Sequence, residues 1–371
     1  MNQMYYSDFI SFAPKIAPAT DGEVALDRPA KEILPHPYTV MPDGKVRFCL
    51  FYPNAEKVAL RDYRQEYELE KQDGFWCGEF AMGDGFIALS VLIDGSDVIS
   101  QFLPVGYGGN RIINYVEIPE KDFSFLPMQY PHGSVVSEYL ESKVLGVMER
   151  VMVYLPAEYR SQPKKRYSVL YLQHGHGENE VCWVSQGRMN FIYDNLIYEK
   201  KALPAIVVMA NGMVYEEDEK HRVLQFRKFT EFLVKELIPY VDGRYRTIAD
   251  KEHRAMAGLS MGSLQTSITT FEHSELFSYV GVFSGFVQDA ISGDQSHLTA
   301  KNLDKFQENI KLFFRAMGEE DIFYEFFKAD DAFLQNNELL CERKVYNGNH
   351  EWKVWRRCLY DFAQMIFQEE V

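Results

Sequence analysis

The sequence is poor in cysteine, and its cysteines form no motif. Five occur in 371 residues, and they are widely spaced: Cys49, Cys77, Cys182, Cys341 and Cys358. Because no C-x-x-C pair is present, neither a zinc knuckle nor a thioredoxin-type redox site is indicated. An odd number of scattered cysteines in a chain of this length predicts reduced and mostly buried thiols.

Long apolar segments and an excess of positive charge are also missing. No run of about 18 apolar residues occurs, so no membrane span is predicted. The opening residues lack a basic segment followed by a continuous apolar core, so we expect no signal peptide and a cytoplasmic protein. Lys and Arg number 39 against 54 Asp and Glu, for a formal charge of −15. A chain of this charge repels phosphate backbones, and nucleic-acid binding is not expected.

What the sequence contains is ordinary globular composition with many aromatic residues. Hydrophobic residues make up 46% and charged residues 25% of the chain, which excludes a disordered chain, a collagen and a coiled coil. There are 27 Phe and 23 Tyr. Phe226 and Phe229 have helical spacing, and Phe48 and Phe86 lie in predicted strands, so these aromatic residues are predicted to be core rather than binding surface. The length predicts two domains.

Two patterns of secondary structure divide the chain. Residues 1–35 are predicted to be an irregular lead-in, and residues 36–120 an all-β domain. In the second region, short apolar runs alternate with Gly, Asp and Pro turn signals, which is typical of a β-sandwich. These runs are 46–51, 58–60, 75–80, 86–93 and 112–118. Residues 121–132 follow as a predicted linker that contains prolines.

From residue 133 to residue 371 strands alternate with helices. This alternation predicts an α/β domain with a mostly parallel sheet covered on both faces. Strands are predicted at 151–155, 168–173, 205–209, 254–257, 280–284, 311–317 and 343–346. Helices are predicted near 189–201 and over 222–240, where apolar residues recur in steps of three and four.

The stretch GLSMG at 258–262 fits the pattern G-x-S-x-G. The segment before it predicts a strand and the segment after it a helix, which is the setting that this pattern requires. The serine of such a turn has a strained backbone, so the residues around it must be small. We therefore predict Ser260 as a nucleophile, with the amide of Met261 at a helix N-terminus stabilising an oxyanion. The alternative is a serine that only caps a helix.

A serine hydroxyl needs a base to accept its proton. Three histidines follow Ser260 in the chain: His273, His297 and His350. His350 is the predicted base, since it comes directly after the last predicted strand and before a helix. His273 ends the helix after Ser260, and His297 lies in a polar loop.

The acid is expected between serine and histidine in the chain. The loop Gly318-Glu319-Glu320-Asp321 follows a predicted strand. Asp321 is favoured because the next residues begin a helix that fixes its position, and Glu320 stays open as the alternative. Asp330 and Asp331 fall within the following helix and are expected to be solvated.

A second oxyanion donor is predicted in the turn His174-Gly175-His176-Gly177, which follows the strand at 168–173. Glycines in such a turn let backbone amides approach the nucleophile. The amide of His176 is the first choice and that of Gly177 the alternative. Two histidines separated by one residue would supply only two metal ligands, whereas a zinc site needs at least three, so no metal is expected.

Together these residues resemble the esterase D-like branch of the α/β-hydrolases. This branch includes the feruloyl and acetyl-xylan esterases of the first carbohydrate esterase family and the enterochelin esterases. The likeness also extends to the stretch from Trp183 to Arg188 and to the ending His350-Glu351-Trp352…Trp355-Arg356, although the residue before His350 is asparagine where the family pattern has glycine. The resemblance implies Ser260, Asp321 and His350 as a triad, the amides of His176 and Met261 as the oxyanion hole, and no cofactor.

The all-β region resembles the early-set immunoglobulin-like domains that precede such esterases and are related to glycogen-binding modules. Pro53-Asn54-Ala55 and Asp73-Gly74-Phe75-Trp76 carry this likeness. Strand alternation suggests that Trp76 is packed, so a structural role is favoured over sugar binding.

The predicted activity is ester hydrolysis through an acyl-enzyme, on acetyl or feruloyl esters of plant-derived oligosaccharides. Trp183 and Trp352 flank the motif loops and are expected either to stack on a sugar or phenolic ring or to be buried beside the sheet edge. The alternatives are a siderophore-trilactone esterase and a non-catalytic carbohydrate-binding or scaffold protein. The expected partner is a small-molecule or oligosaccharide ester, with a homodimer as a further possibility.

Overall fold

The computed structural model describes residues 37–217 and 221–368. The predicted lead-in, residues 1–35, lies outside the described residues. The chain divides into two compact units, Met1–Asp122 and Phe123–Val371. Among the described helices, none is both long enough and apolar enough to cross a bilayer.

The first unit is built from short β-strands over its described residues. They are β1 Tyr38–Val40, β2 Val46–Leu50, β3 Val58–Arg61, β4 Glu66–Glu68, β5 Glu70–Gln72, β6 Phe75–Phe80, β7 Gly85–Ile93, β8 Ser96–Val98, β9 Val105–Gly108 and β10 Arg111–Ile118. One sheet has the order β1-β2-β6-β5, and the other has the order β4-β3-β7-β10-β9 with β8 beside β7. The turn signal Asp73-Gly74 joins β5 to β6 with positive φ at both residues, as tight hairpins require.

Side chains from both sheets form one core, so the predicted β-sandwich is confirmed. Along β2, Val46, Phe48 and Leu50 are fully buried, and they pack in one cluster with Leu60 of β3. Trp76 belongs to the same cluster at 6% exposure, and its indole N–H donates to the Tyr52 carbonyl at 2.9 Å. Trp76 is therefore a packing residue.

Two of the cysteines lie directly opposite each other in the first unit. Cys49 on β2 pairs with Cys77 on β6 in antiparallel register, and their Sγ atoms are 2.9 Å apart. Burial raises the pKa of the Cys77 thiol to about 12. All five cysteines are free thiols, and Cys182 and Cys358 are buried.

Over the described part of the chain, the second unit contains the remaining strands and the α-helices. The strands are β11 Ser134–Ser142, β12 Val147–Leu155, β13 Ser168–Gln173, β14 Ala205–Ala210, β15 Tyr215–Glu217, β16 Arg222–Leu224, β17 Arg254–Leu259, β18 Tyr279–Phe283, β19 Leu312–Gly318 and β20 Glu342–Tyr346. The helices are α1 Cys182–Ser185, α2 Met189–Tyr198, α3 Phe226–Phe232, α4 Ile238–Arg244, α5 Met261–Glu272, α6 Ala300–Asn309, α7 Tyr324–Asn336 and α8 Trp352–Ala363. A π-helical turn, Leu233–Leu237, joins α3 to α4.

The main sheet has eight strands in the order β11-β12-β14-β13-β17-β18-β19-β20. The β11–β12 hairpin is antiparallel to the rest, and β13, β14 and β17 to β20 run parallel. This confirms the predicted α/β-hydrolase architecture. Parallel strands are covered on both faces, which explains why every residue of β13, β14 and β17 is buried.

Two local predictions differ from the structure. The predicted helix over 222–240 starts too early, because Arg222–Leu224 pairs as a strand with Tyr215–Glu217 and the helix begins at Phe226. Strand β11 was not predicted, since it is an edge strand whose residues alternate between half-buried and exposed. Pairing with another strand overrides the local pattern in both places.

Residues at the start of the second unit pack into it. Phe125 is 1% exposed, and the Arg356 guanidinium lies 4.3 Å from the centre of its ring. Phe123 stacks on Tyr360 at a centroid distance of 4.8 Å. The segment that the sequence suggested as a linker therefore contributes aromatic side chains to the surroundings of α8.

Candidate active site

The predicted functional residues follow the carboxyl ends of parallel strands. Ser260 comes directly after β17, the Asp321 loop after β19 and the His350 loop after β20, while the turn at 174–177 follows β13. Because these strands are parallel, their carboxyl ends meet at one edge of the sheet, which is where open α/β sheets bind ligands.

Ser260 lies in a sharp turn between β17 and α5. Its backbone angles are φ 50° and ψ −118°, a region that side-chain-bearing residues rarely adopt. Its amide donates to the Phe283 carbonyl at 2.9 Å, which ties the turn to the neighbouring strand.

The two glycines of the motif are required by close backbone approaches. A Cβ at Gly258 would lie 2.3 Å from the Gly262 carbonyl oxygen, and one at Gly262 would lie 2.5 Å from the His174 carbonyl oxygen. The second approach also brings the turn at 174–177 against the serine turn. Small residues at 258 and 262 thus allow both turns to meet.

The structure brings Ser260, His350 and Asp321 together. The His350 Nε2 atom lies 2.9 Å from Ser260 Oγ, and its Nδ1 atom lies 2.9 Å from Asp321 Oδ2. The Asp321 side chain is fully buried and that of His350 is 19% exposed. With Asp321 accepting from Nδ1–H, the Nε2 lone pair faces the serine hydroxyl. This arrangement can move a proton from the hydroxyl to the imidazole and so activate the oxygen for attack.

The other acidic candidates lie elsewhere. The Glu320 side chain is exposed, whereas Asp321 Oδ1 also accepts from the Phe323 amide at 2.9 Å. The expectation that Asp330 is solvated is wrong: it is 2% exposed and accepts from the Val287 amide at 2.8 Å. Asp331 forms an ion pair with Arg315 at 2.7 Å.

The other histidine candidates have structural contacts. His273 follows the last residue of α5 as its C-cap, and its Nδ1 atom lies 3.4 Å from Glu275. His297 is fully buried, and its Nε2 atom lies 2.9 Å from the Val287 carbonyl.

The predicted oxyanion donors lie in the two turns that meet. Met261 is the first residue of α5, so its amide belongs to a helix N-terminus, where N–H groups lack helical acceptors. His176 is exposed in the turn after β13. The Gly177 amide, the alternative donor, points to Met213 Sδ at 3.4 Å. The assignment of His176 and Met261 as donors stays a prediction.

His174 has partners at both ring nitrogens. Its Nε2 atom accepts from the Gly212 amide at 2.9 Å, so Nδ1 carries the proton and donates to the Gly175 carbonyl at 2.8 Å. Burial lowers the pKa of His174, which favours this neutral form. Within 37–217 and 221–368, no group of three or more His, Cys, Asp or Glu side chains could hold a metal ion.

Trp183 and Trp352 are buried and pack against each other. They are 1% and 3% exposed, and their rings meet edge to face at 5.1 Å. The Trp183 indole donates to the Gln173 carbonyl at 2.9 Å. This burial agrees with the expectation that both indoles are buried beside the sheet edge. It does not agree with the expectation that they stack on a substrate ring.

Sequence reasoning missed Glu178, which ends the turn after His174. Its two carboxyl oxygens accept from the Gly175 amide at 2.9 Å and from the Trp352 indole at 3.0 Å. Burial raises the pKa of Glu178 to about 8, against the smaller opposing effect of these two hydrogen bonds. The available signal was an acidic residue within a few positions of a glycine turn.

Phe323 lies beside His350 and packs with two further phenylalanines. The Phe323 ring lies 5.0 Å from the imidazole and 5.2 Å from the ring of Phe286, and Phe326 is 5.8 Å from Phe286. Phe286 is buried, but Phe326 is 43% exposed. We call Phe286, Phe323 and Phe326 the phenylalanine cluster; it offers an apolar, partly open surface next to the imidazole.

Comparison with known proteins gives relatives that cover most of the chain. The chain is 33% identical over 374 residues to an endo-1,4-beta-xylanase/feruloyl esterase of Xylanibacter ruminicola, and the alignment covers 94% of this chain. The chain spans only 49% of that relative's length. It is also 23% identical over 241 residues to an uncharacterized Bacillus subtilis protein, covering 61% of this chain and 94% of that one.

Solved structures share the fold. A CE1 ferulic acid esterase of Anaeromyces mucronatus matches 67% of this chain and 96% of its own with a TM-score of 0.58 at 21% identity. The enterobactin esterase of Shigella flexneri matches 89% of this chain and 96% of its own with a TM-score of 0.64 at 15% identity. At these identities the likeness establishes the fold alone. The family described as "Putative esterase" matches residues 142–364, more than half of the chain, and the protein is therefore a member of this esterase family.

Proposed function

We propose that this protein is a serine carboxylic-ester hydrolase that acts through an acyl-enzyme on acetyl or feruloyl esters of plant-derived oligosaccharides. The observation that carries the proposal is the hydrogen-bonded series from Ser260 Oγ through His350 to the buried Asp321 carboxylate. Membership of the esterase family supports the same reaction class.

The mechanism follows from the positions of these groups. His350 Nε2 accepts the Ser260 proton while Oγ attacks the ester carbonyl, and Asp321 holds the imidazole in the required tautomer. The amides of Met261 and His176 donate to the oxyanion of the tetrahedral intermediate, with each such donor contributing about 3 kcal/mol. The imidazolium then protonates the leaving alcohol. Water, activated by the same imidazole, attacks the acyl-enzyme and releases the acid.

Two observations support feruloyl esters as substrates. The Xylanibacter ruminicola relative is named a feruloyl esterase, and the phenylalanine cluster lies beside His350. Aromatic rings are attracted to other aromatic rings in edge-to-face or offset geometry, so the ring of a phenolic acyl group finds complementary neighbours there. The net charge of −15 favours neutral esters over an anionic iron-loaded trilactone.

For the first unit we propose an immunoglobulin-like fold with a structural role. Trp76, the residue that a sugar would most readily stack on, is 6% exposed and hydrogen-bonded through its indole. A buried indole cannot offer a platform to a sugar ring.

The test is a panel of esters compared by kcat/KM. A feruloylated arabino-oligosaccharide, an acetylated xylo-oligosaccharide and an enterobactin-type trilactone are given to the wild type and to Ser260→Ala. We expect hydrolysis of the feruloyl and acetyl esters, loss of hydrolysis in the variant, and a fluorophosphonate adduct on Ser260 of the wild type. Preference for the trilactone would overturn the substrate assignment, and an unlabelled, inactive wild type would favour a scaffold protein.

A further inference from the structure

Glu178 lies between the two loops that carry proposed catalytic groups. Its Oε2 atom accepts from the amide of Gly175, the residue before His176, at 2.9 Å. Its Oε1 atom accepts from the indole of Trp352, two residues after His350, at 3.0 Å. One buried side chain thus links residues 174–177, which we call the oxyanion turn, to residues 347–352, which we call the base loop. Glu178 and Trp352 are nevertheless 174 positions apart in the chain.

Two ring contacts connect Trp352 to the imidazole of His350. The Trp352 ring lies 5.1 Å from the ring of Trp355 at 80°, and the Trp355 ring lies 5.1 Å from the imidazole of His350 at 85°. Both tryptophans belong to the first turn of α8. The orientation of His350 therefore depends on where α8 begins, and Glu178 holds the first residue of that helix.

The chemistry of Glu178 also points to a role beyond filling space. Both of its hydrogen-bond donors are neutral N–H groups, and the residue is 8% exposed. Burying a carboxyl with such partners costs free energy. An apolar side chain in its place would leave two buried N–H groups without this acceptor. The residue is thus placed as a double acceptor at the meeting point of two loops.

We propose that Glu178 is a positioning residue that fixes the oxyanion turn and the base loop relative to each other. Through its two hydrogen bonds, the amide of His176 and the imidazole of His350 face one ester carbonyl at the same time. This inference rests on the proposed function, because it concerns the alignment of groups for acyl transfer.

The test is a double-mutant cycle on kcat with p-nitrophenyl acetate. Glu178→Gln keeps the shape but turns an amide N–H₂ toward one of the two donors, so one hydrogen bond is lost. Trp352→Phe removes the indole N–H and keeps an aromatic ring. We expect each change to lower kcat about 10- to 100-fold with less than about a twofold change in KM, as small misalignments do. The double variant should lose little more than either single variant, because both remove the same link.

A matched control separates alignment from stability. Glu236 is another glutamate whose side chain accepts backbone amides, from Lys143 at 2.9 Å and Val144 at 3.1 Å, and it contacts the β11–β12 hairpin at the far edge of the sheet. Glu236→Gln should lower the midpoint of thermal unfolding and leave kcat of the folded protein unchanged. Glu178→Gln should lower kcat at temperatures where it is fully folded.

Additive losses in the double variant, or wild-type kcat in folded Glu178→Gln, would overturn the positioning role. If the proposed function itself is wrong, the experiments give a different set of results. In that case the wild type and Ser260→Ala would hydrolyse the ester equally, and no fluorophosphonate adduct would form at Ser260. An inactive Ser260→Ala beside a fully active Glu178→Gln rejects only the role of Glu178.

Discussion

The Nε2 atom of His350 lies 2.9 Å from Oγ of Ser260, although the two residues are 90 positions apart in the chain. They meet because β17 and β20 are parallel members of one sheet and each residue comes shortly after the carboxyl end of its strand. The distance is that of a hydrogen bond, so the proton transfer that starts acyl transfer needs no rearrangement of these side chains.

The loop that contains Glu320 and Asp321 offers a matched pair of variants. Asp321→Asn should lower kcat by about 10⁴-fold, the order known for this exchange in serine proteases, because an amide no longer holds the imidazole tautomer. Glu320→Gln, one residue earlier and exposed, should leave kcat close to that of the wild type. Kinetics with p-nitrophenyl acetate measure both, and equal losses in the two variants would contradict the choice of Asp321.

Because the backbone of Ser260 is strained, replacing this residue by glycine should increase stability and abolish activity. Its φ of 50° disfavours any residue with a Cβ, at a cost of about 1–3 kcal/mol. Ser260→Gly should therefore raise the free energy of unfolding by about 1 kcal/mol while hydrolysis is lost. Ser260→Ala keeps the Cβ and should unfold close to the wild type. Urea titrations compare the three proteins, and a glycine variant no more stable than the alanine variant would refute the strain.

The raised pKa of Glu178 predicts a pH dependence of stability. In the folded protein this pKa is about 8 because of burial, whereas an exposed glutamate has a pKa of about 4.3. The folded state therefore binds the extra proton between these values, and its stability falls as pH rises through that window by up to about 1.4 kcal/mol per pH unit. The side chain of Glu178→Gln cannot ionise, so the stability of this variant should not fall for this reason as pH rises.

Urea unfolding of the wild type and Glu178→Gln at pH values from about 5 to about 9 measures this difference. The stability of the variant relative to the wild type should increase up to about pH 8 and then level off. A constant difference over the whole range would show that Glu178 does not change its proton on unfolding.

Phe323 should determine preference for an aromatic acyl group. Its ring lies 5.0 Å from the imidazole, and an aromatic pair contributes about 0.5–1.5 kcal/mol. Phe323→Leu should therefore lower kcat/KM for the feruloyl ester about two- to tenfold and change that for the acetyl ester less. Tyr139→Leu alters an aromatic residue of edge strand β11 that is 62% exposed, and it should affect neither. Equal loss on both esters would argue against the phenylalanine cluster as the acyl site.

Cys49 and Cys77 are placed to form a disulfide across β2 and β6. Their Sγ atoms are 2.9 Å apart, and a low-molecular-weight disulfide such as oxidised glutathione would accept the two electrons and two protons that bond formation releases. The burial that raises the pKa of Cys77 makes the reaction slow, since the thiolate is the attacking species. Thiol titration of the denatured protein should show two fewer thiols after oxidation, and Cys49→Ser should abolish this change.

The sequence was most informative where a function needs a local motif. The predicted nucleophile, Ser260, has glycines on both sides, a strand before it and a helix after it, and each of these can be recognised within a dozen residues. His350 and Asp321 could be proposed as base and acid because both come directly after a predicted strand. Such positions depend on chain order and on the parallel sheet, which the alternation of strands and helices already indicates.

The direction in which a side chain points could not be predicted from local motifs of this kind. Trp183 and Trp352 flank the motif loops in the chain, but whether an indole points into the site or beneath it depends on the acceptor its N–H finds. The acceptors here are the Gln173 carbonyl and the Glu178 carboxyl, and neither pairing is visible in the local pattern. The role of Glu178 was missed for the same reason, because its partner Trp352 lies near the other end of the second unit's chain.

The packing of Phe123 and Phe125 has a practical consequence for dissecting this protein. A shortened chain that begins at Gly133 would remove the ring beneath the Arg356 guanidinium and the ring stacked on Tyr360. It would thereby expose one side of α8, the helix whose first turn contacts His350. An isolated hydrolase should therefore begin at or before Phe123, where its aromatic support is kept.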